Sequence, residues 1–100
     1  MLMPGQKSTL PEDQVLELAH KHKISANDAN GFLVQLEGWM LDPTLENADD
    51  EEVSRMITRH RENAQYHTAG IILFVQAARR QKLSLFEAGD IFIGLLTPVL

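Results

Sequence analysis

Ala69–Ala78 reads Ala-Gly-Ile-Ile-Leu-Phe-Val-Gln-Ala-Ala, and no other stretch restricts the fold as much. Its apolar residues fall on every side of a helix, which a water-exposed chain tolerates only where other elements surround that helix. The expectation is a central buried helix with Phe74 in the core. A bilayer span needs ~20 apolar residues. This run is half that length, and Arg79, Arg80 and Lys82 follow it at once.

The other segments read as helices around this one. Thr9-Leu10-Pro11-Glu12 has the form of a capping box with proline in the first turn, and predicts a helix running to about Lys23 with Val15, Leu16, Leu18 and Ala19 on its apolar side. Ser25 to Asp28 is a second capping box, stapled by Ile24 and Ala29. It opens a helix whose apolar face carries Ala29, Phe32, Leu33, Leu36, Trp39 and Met40, and which Asp42-Pro43 ends or redirects. Asn47 is the expected cap of a third helix, with the four later acids in its first turn and Val53, Met56, Ile57 and His60 along it. Ser84 to Glu87 caps a last helix through Ala88, Ile91, Phe92, Leu95 and Leu96. Every segment favours helix over strand, so the fold class is all-α.

An offset of 59 residues lays Lys23 on Lys82, Ile24 on Leu83, Ser25 on Ser84, Asp28 on Glu87 and Ala29 on Ala88. Both segments are helix-turn-helix-like corners, and most of the matches are what any two such corners share. The expected architecture is a compact bundle of about five helices, two corners joined by a central acidic helix. Residues 1–100 form a single helical domain, with 1–8 as a flexible tail. At 44% apolar residues the chain can bury a core without disulfide or metal support.

The chain has no cysteine, which excludes disulfides, thiolate metal ligands and thiol nucleophiles. His60 and His67 stand seven apart, too far along a helix to share one metal ion, and His20 and His22 point in different directions. All four read as surface histidines. No glycine-rich phosphate loop, nucleophile elbow or Ser/His/Asp signature is present, so neither a cofactor nor catalysis is expected. The N-terminus lacks a basic region followed by an apolar run, which points to the cytoplasm and away from secretion or membranes.

The formal net charge is -5. Such a surface repels phosphate backbones, so direct nucleic-acid binding is not expected. The turn from Leu18-Ala19 to Phe32-Leu33 has the spacing of a DNA-reading helix-turn-helix, and a transcriptional regulator or co-repressor is the alternative function. Its reading face would be Asn27, Asp28, Asn30 and Gly31, without a lysine or arginine to meet guanine or phosphate. The charge is densest from Asp42 to Glu52. Asp42, Glu46, Asp49, Asp50, Glu51 and Glu52, with Trp39 as an aromatic anchor, are the candidate partner-binding residues: acids suited to a basic groove on another macromolecule.

In size, helical make-up and acidic balance, over its whole length from Met1 to Leu100, the chain resembles the phage-encoded anti-CRISPR proteins directed against type I-F surveillance complexes. The resemblance implies a non-catalytic inhibitor that binds Cas subunits and blocks target-DNA binding, often by setting acidic side chains against the lysines and arginines that hold DNA. The expected partner is therefore a protein with a basic nucleic-acid-binding surface, in the bacterial host cytoplasm, met by a monomer of this chain.

Overall fold

Six helices follow one another in the computed structural model, which describes residues 6–97: α1 (Glu12–His22), α2 (Ala26–Met40), α3 (Pro43–Glu46), α4 (Asp50–Glu62), α5 (Tyr66–Arg80) and α6 (Leu85–Leu96). The fold is all-α, with no strand among the described residues. No helix among them is long and apolar enough to cross a membrane. The chain divides into two compact units, one of residues up to Glu37 together with those from Leu83, the other Gly38–Lys82. α6 thus belongs with α1 and most of α2, and α5 with α3 and α4.

In the first unit, Val15, Leu18 and Ala19 of α1 pack with Ala29 and Leu33 of α2 and Ile93 of α6. Leu10, Ile24, Phe32 and Phe86 close the edge of this cluster. Gly89 of α6 is where Leu33 presses closest: a Cβ there would stand 2.4 Å from Leu33 Cδ2. The α2 capping residue is placed as the sequence predicts, with Ser25 Oγ accepting the Asp28 amide at 3.0 Å. The α6 capping box is complete: Ser84 Oγ accepts from Glu87 N, and Glu87 Oε1 accepts from Ser84 N. These bonds, the backbone one foremost, hold the Glu87 carboxyl below the usual range.

The α1 cap is different from the prediction. Pro11 occupies the N-cap position and supplies no side-chain bond. Thr9 turns instead toward Glu37 of α2, whose buried carboxylate accepts the Thr9 amide at 3.0 and 3.1 Å, the Thr9 hydroxyl at 3.1 Å and the Ser8 hydroxyl. Asn30 adds bonds to Ser8 N and Gln6 O. Within the segment expected to be a tail, Gln6 and Ser8 are therefore tied down; residues 1–5 lie outside the described residues.

In the second unit α4 and α5 pack side by side and antiparallel, since Asp50 at the start of α4 meets Gln76 and Arg80 near the end of α5. A break after Glu62 separates α4 from α5. Ala64 adopts a left-handed conformation (φ 58°), Ala64 N bonds Arg61 O and Gln65 N bonds His60 O at 2.7 Å, the pairing of a Schellman motif. Lys23 and Lys82 end α1 and α5 with the same left-handed backbone (φ 57° and 55°). The positions matched by the 59-residue offset thus share their turn conformation, but the match fails further on, where Leu36 is buried and its counterpart Leu95 is exposed.

The Ala69–Ala78 helix is not surrounded. Ala69, Ile71, Ile72, Val75 and Ala78 are buried, Phe74 is half-buried, and Gly70, Leu73 and Ala77 face solvent. Val75 and Ile72, rather than Phe74, are its core residues. An apolar residue on each side of a helix shows what could be buried; the number of neighbouring elements decides what is.

Candidate docking surface

The acidic stretch folds as two short helix starts in the second unit. Asp42 does not simply end α2. It caps α3, Oδ1 accepting Thr44 N at 2.8 Å and Leu45 N at 3.3 Å, with Pro43 in the first position, where a missing amide is harmless. Leu45, 1% exposed, anchors the turn in the interior. Asn47 proves to be the C-terminal cap of α3, with Nδ2 donating to Pro43 O. Asp49 takes the N-cap role predicted for Asn47: Asp49 Oδ1 accepts Glu52 N at 2.8 Å and Glu52 Oε1 accepts Asp49 N at 3.3 Å. Three acids rather than four, Asp50, Glu51 and Glu52, then lie in the first turn of α4, where the helix dipole favours them.

The six candidate acids therefore differ in what they do. Asp42, Asp49 and Glu52 serve backbone amides. Asp50 receives Arg80 Nη2 at 3.1 Å and Gln76 Nε2 at 2.9 Å, while Glu51 pairs with Arg55 at 3.0 Å, one turn away. Glu46 is exposed on α3. Among the described residues, lysine or arginine pairs with only Asp50 and Glu51 of the six. The charge of Asp42, Glu46, Asp49 and Glu52 is left without a cationic side-chain partner there. The last turn of α4 carries Arg59, His60 and Arg61 before the terminal Glu62, opposite in sign to the acids of its first turn.

Trp39, the candidate anchor, is half-buried, with its ring 6.0 Å from that of His60 and nearly perpendicular to it (86°). His60 is in turn hydrogen-bonded to Gln65 through Nδ1 at 2.6 Å. His60 is accordingly a half-buried residue at the surface, held between Trp39 and Gln65. The guanidinium of Arg79 donates to Leu45 O at 2.8 Å and Met40 O at 3.0 Å, carbonyls near the ends of α3 and α2.

His22 departs from the surface assignment. Its side chain is 14% exposed, and Nε2 lies 2.7 Å from Asp90 Oδ1 on α6; Lys21 Nζ meets Asp90 Oδ2 at the same distance. The Lys21 ammonium holds the Asp90 carboxyl below its usual range, with partial burial opposing this and His22 adding to it. This His-carboxylate pair spans 68 residues and has no local signature. Glu37 did have one: it falls four residues after Leu33 and eight after Ala29, on the buried stripe of α2. Of the proposed DNA-reading residues, Asn30 is occupied by Gln6 and Ser8. No group of three or more His, Asp or Glu side chains among the described residues is arranged to hold a metal ion.

No protein-family model, curated protein or solved structure matches the chain.

Proposed function

We propose that the chain is a non-catalytic binding protein whose α3–α4 junction docks on a basic, nucleic-acid-binding surface of a protein partner. The observation that carries this reading is the charge of Asp42, Glu46, Asp49 and Glu52, gathered at two successive helix starts with no lysine or arginine paired to it among the described residues. Such a patch speeds encounter with a cationic groove and sets its register. The resemblance to type I-F anti-CRISPR proteins supplies the concrete partner: Cas subunits whose lysines and arginines hold target DNA, in the host cytoplasm.

The test reverses charge where no cap is lost. Glu46→Lys combined with Glu51→Lys leaves Asp42, Asp49 and Glu52 at their amides, so the fold is kept. Binding of this variant to a purified type I-F surveillance complex at low salt should weaken by about tenfold or more, chiefly in the association rate, and lose part of its salt dependence. Unchanged affinity removes the electrostatic reading. The helix-turn-helix alternative draws support from the three-residue turn Lys23–Ser25 between α1 and α2. It predicts a DNA mobility shift at low salt with micromolar protein, where non-specific affinity is greatest.

A further inference from the structure

We propose that the exposed side of α5 is a self-association surface, on which a second copy of this chain packs its own α5 in antiparallel orientation. Tyr66, Gly70, Leu73, Ala77 and Arg80 follow at alternating spacings of four and three residues, which a helix of 3.6 residues per turn places in one narrow stripe. All five are exposed, Tyr66 at 68% and Leu73 at 58%. Val75, at the centre of the buried side, stands two residues beyond Leu73 and so about 200° around the helix. α5 thus carries two apolar sides, and the fold covers one.

Gly70 is the second observation. Glycine inside a helix is unfavourable relative to alanine, and nothing in the molecule lies within 4 Å of where a Cβ would be. No contact within the chain explains its absence. Gly38 of α2 is equally open, but Gly70 falls on the exposed stripe, where the missing Cβ leaves room for a close approach from outside.

The occupant is a second copy because the stripe is complementary to itself when reversed. With Leu73 on a twofold axis, Leu73 meets Leu73 of the other copy, and the small Gly70 faces the small Ala77 on either side, letting the backbones approach. At the outer ends the Tyr66 ring meets Arg80, a cation–π pairing made twice. Asp50 holds that guanidinium at 3.1 Å, at the C-terminal end of the stripe. Antiparallel packing also opposes the two helix dipoles favourably. α5 has 15 residues, about 22 Å of helix, so the interface falls at the small end for specific complexes and the dimer is weak and concentration-dependent.

Sedimentation velocity from about 10 μM to about 1 mM should show a monomer passing to a dimer, the behaviour of an interface of this size. Leu73→Glu should remain monomeric throughout with unchanged circular dichroism. Gly70→Ala should raise the melting temperature yet weaken association several-fold, effects of opposite sign that mere loss of fold cannot produce. Because the chain has no cysteine, Leu73→Cys should oxidise to a covalent dimer, whereas Tyr66→Cys should not, its counterpart lying at the far end of the stripe. A wild-type protein that stays monomeric, association that survives Leu73→Glu or Gly70→Ala, or crosslinking through Tyr66→Cys would each overturn the proposal.

Discussion

Glu37 accepts the backbone amide of Thr9 through both carboxylate oxygens, across 28 residues of sequence. The segment that leads into α1 is thereby fastened to the last turn of α2, and an acid on a buried stripe has each of its oxygens hydrogen-bonded. Hydrogen bonds to a charged acceptor each contribute ~1.5–3 kcal/mol, and because Thr9 is exposed and Ser8 half-buried, water compensates part of their loss. Glu37→Ala should therefore destabilise the protein by about 2–3 kcal/mol in urea unfolding, and Glu37→Gln by about half of that. Native-state hydrogen exchange at the Thr9 amide should lose protection in both variants; retained protection would mean that the bond is not made in solution.

Gly89 sets how closely α6 approaches α2. Its missing Cβ leaves room for Leu33, which is fully buried. Gly89→Ala should cost about 1–3 kcal/mol, the range for overpacking a filled core. Adding Leu33→Val should recover part of this, a non-additivity that a double-mutant cycle detects. Simple additivity would show that the two residues do not touch.

Three helices end in a left-handed residue that is not glycine. At Ala64 the strain of that conformation, roughly 1–2 kcal/mol, outweighs the ~0.4–1 kcal/mol by which glycine loosens the unfolded chain. Ala64→Gly should raise stability by up to about 1 kcal/mol, and Ala64→Val should lower it by at least as much. Thermal unfolding of the pair decides; a melting temperature lowered by glycine would contradict the turn geometry.

Asp90 links stability to pH. Its folded pKa lies below the ordinary value of 3.8, so its contribution is fully present above that value and is lost as the pH falls through the lower, folded one. Asp90→Asn should lose roughly 1 kcal/mol at neutral pH, the scale of a solvent-screened pair. It should also flatten the stability profile below the ordinary carboxylate value of 3.8, where the folded protein's carboxylate would otherwise take up its proton. High salt should shrink the difference. A profile identical to wild type would exclude Asp90 as the linked group.

The parts of this protein that the sequence by itself determined are those governed within a few residues along the chain. The Ser84–Glu87 capping box, the Ser25 cap, the apolar faces through Leu18, Leu33 and Val53, and the all-helical class all follow from spacings of three and four, because a helix satisfies its own backbone. Even the Glu37 phase was present in its spacing from Leu33 and Ala29, although a charged residue does not count toward an apolar face. Tertiary structure decided the rest. Asp49 capped α4 in place of Asn47 because Leu45 buries itself and Asn47 then closes α3. Thr9 left the α1 cap because Glu37 offered a charged acceptor. His22 and Asp90 met only because α1 and α6 pack together, and α5 left Leu73 exposed while Ile72 and Val75 on its other side were buried. Contacts between distant residues depend on which elements come to lie side by side, and local spacing carries no record of that.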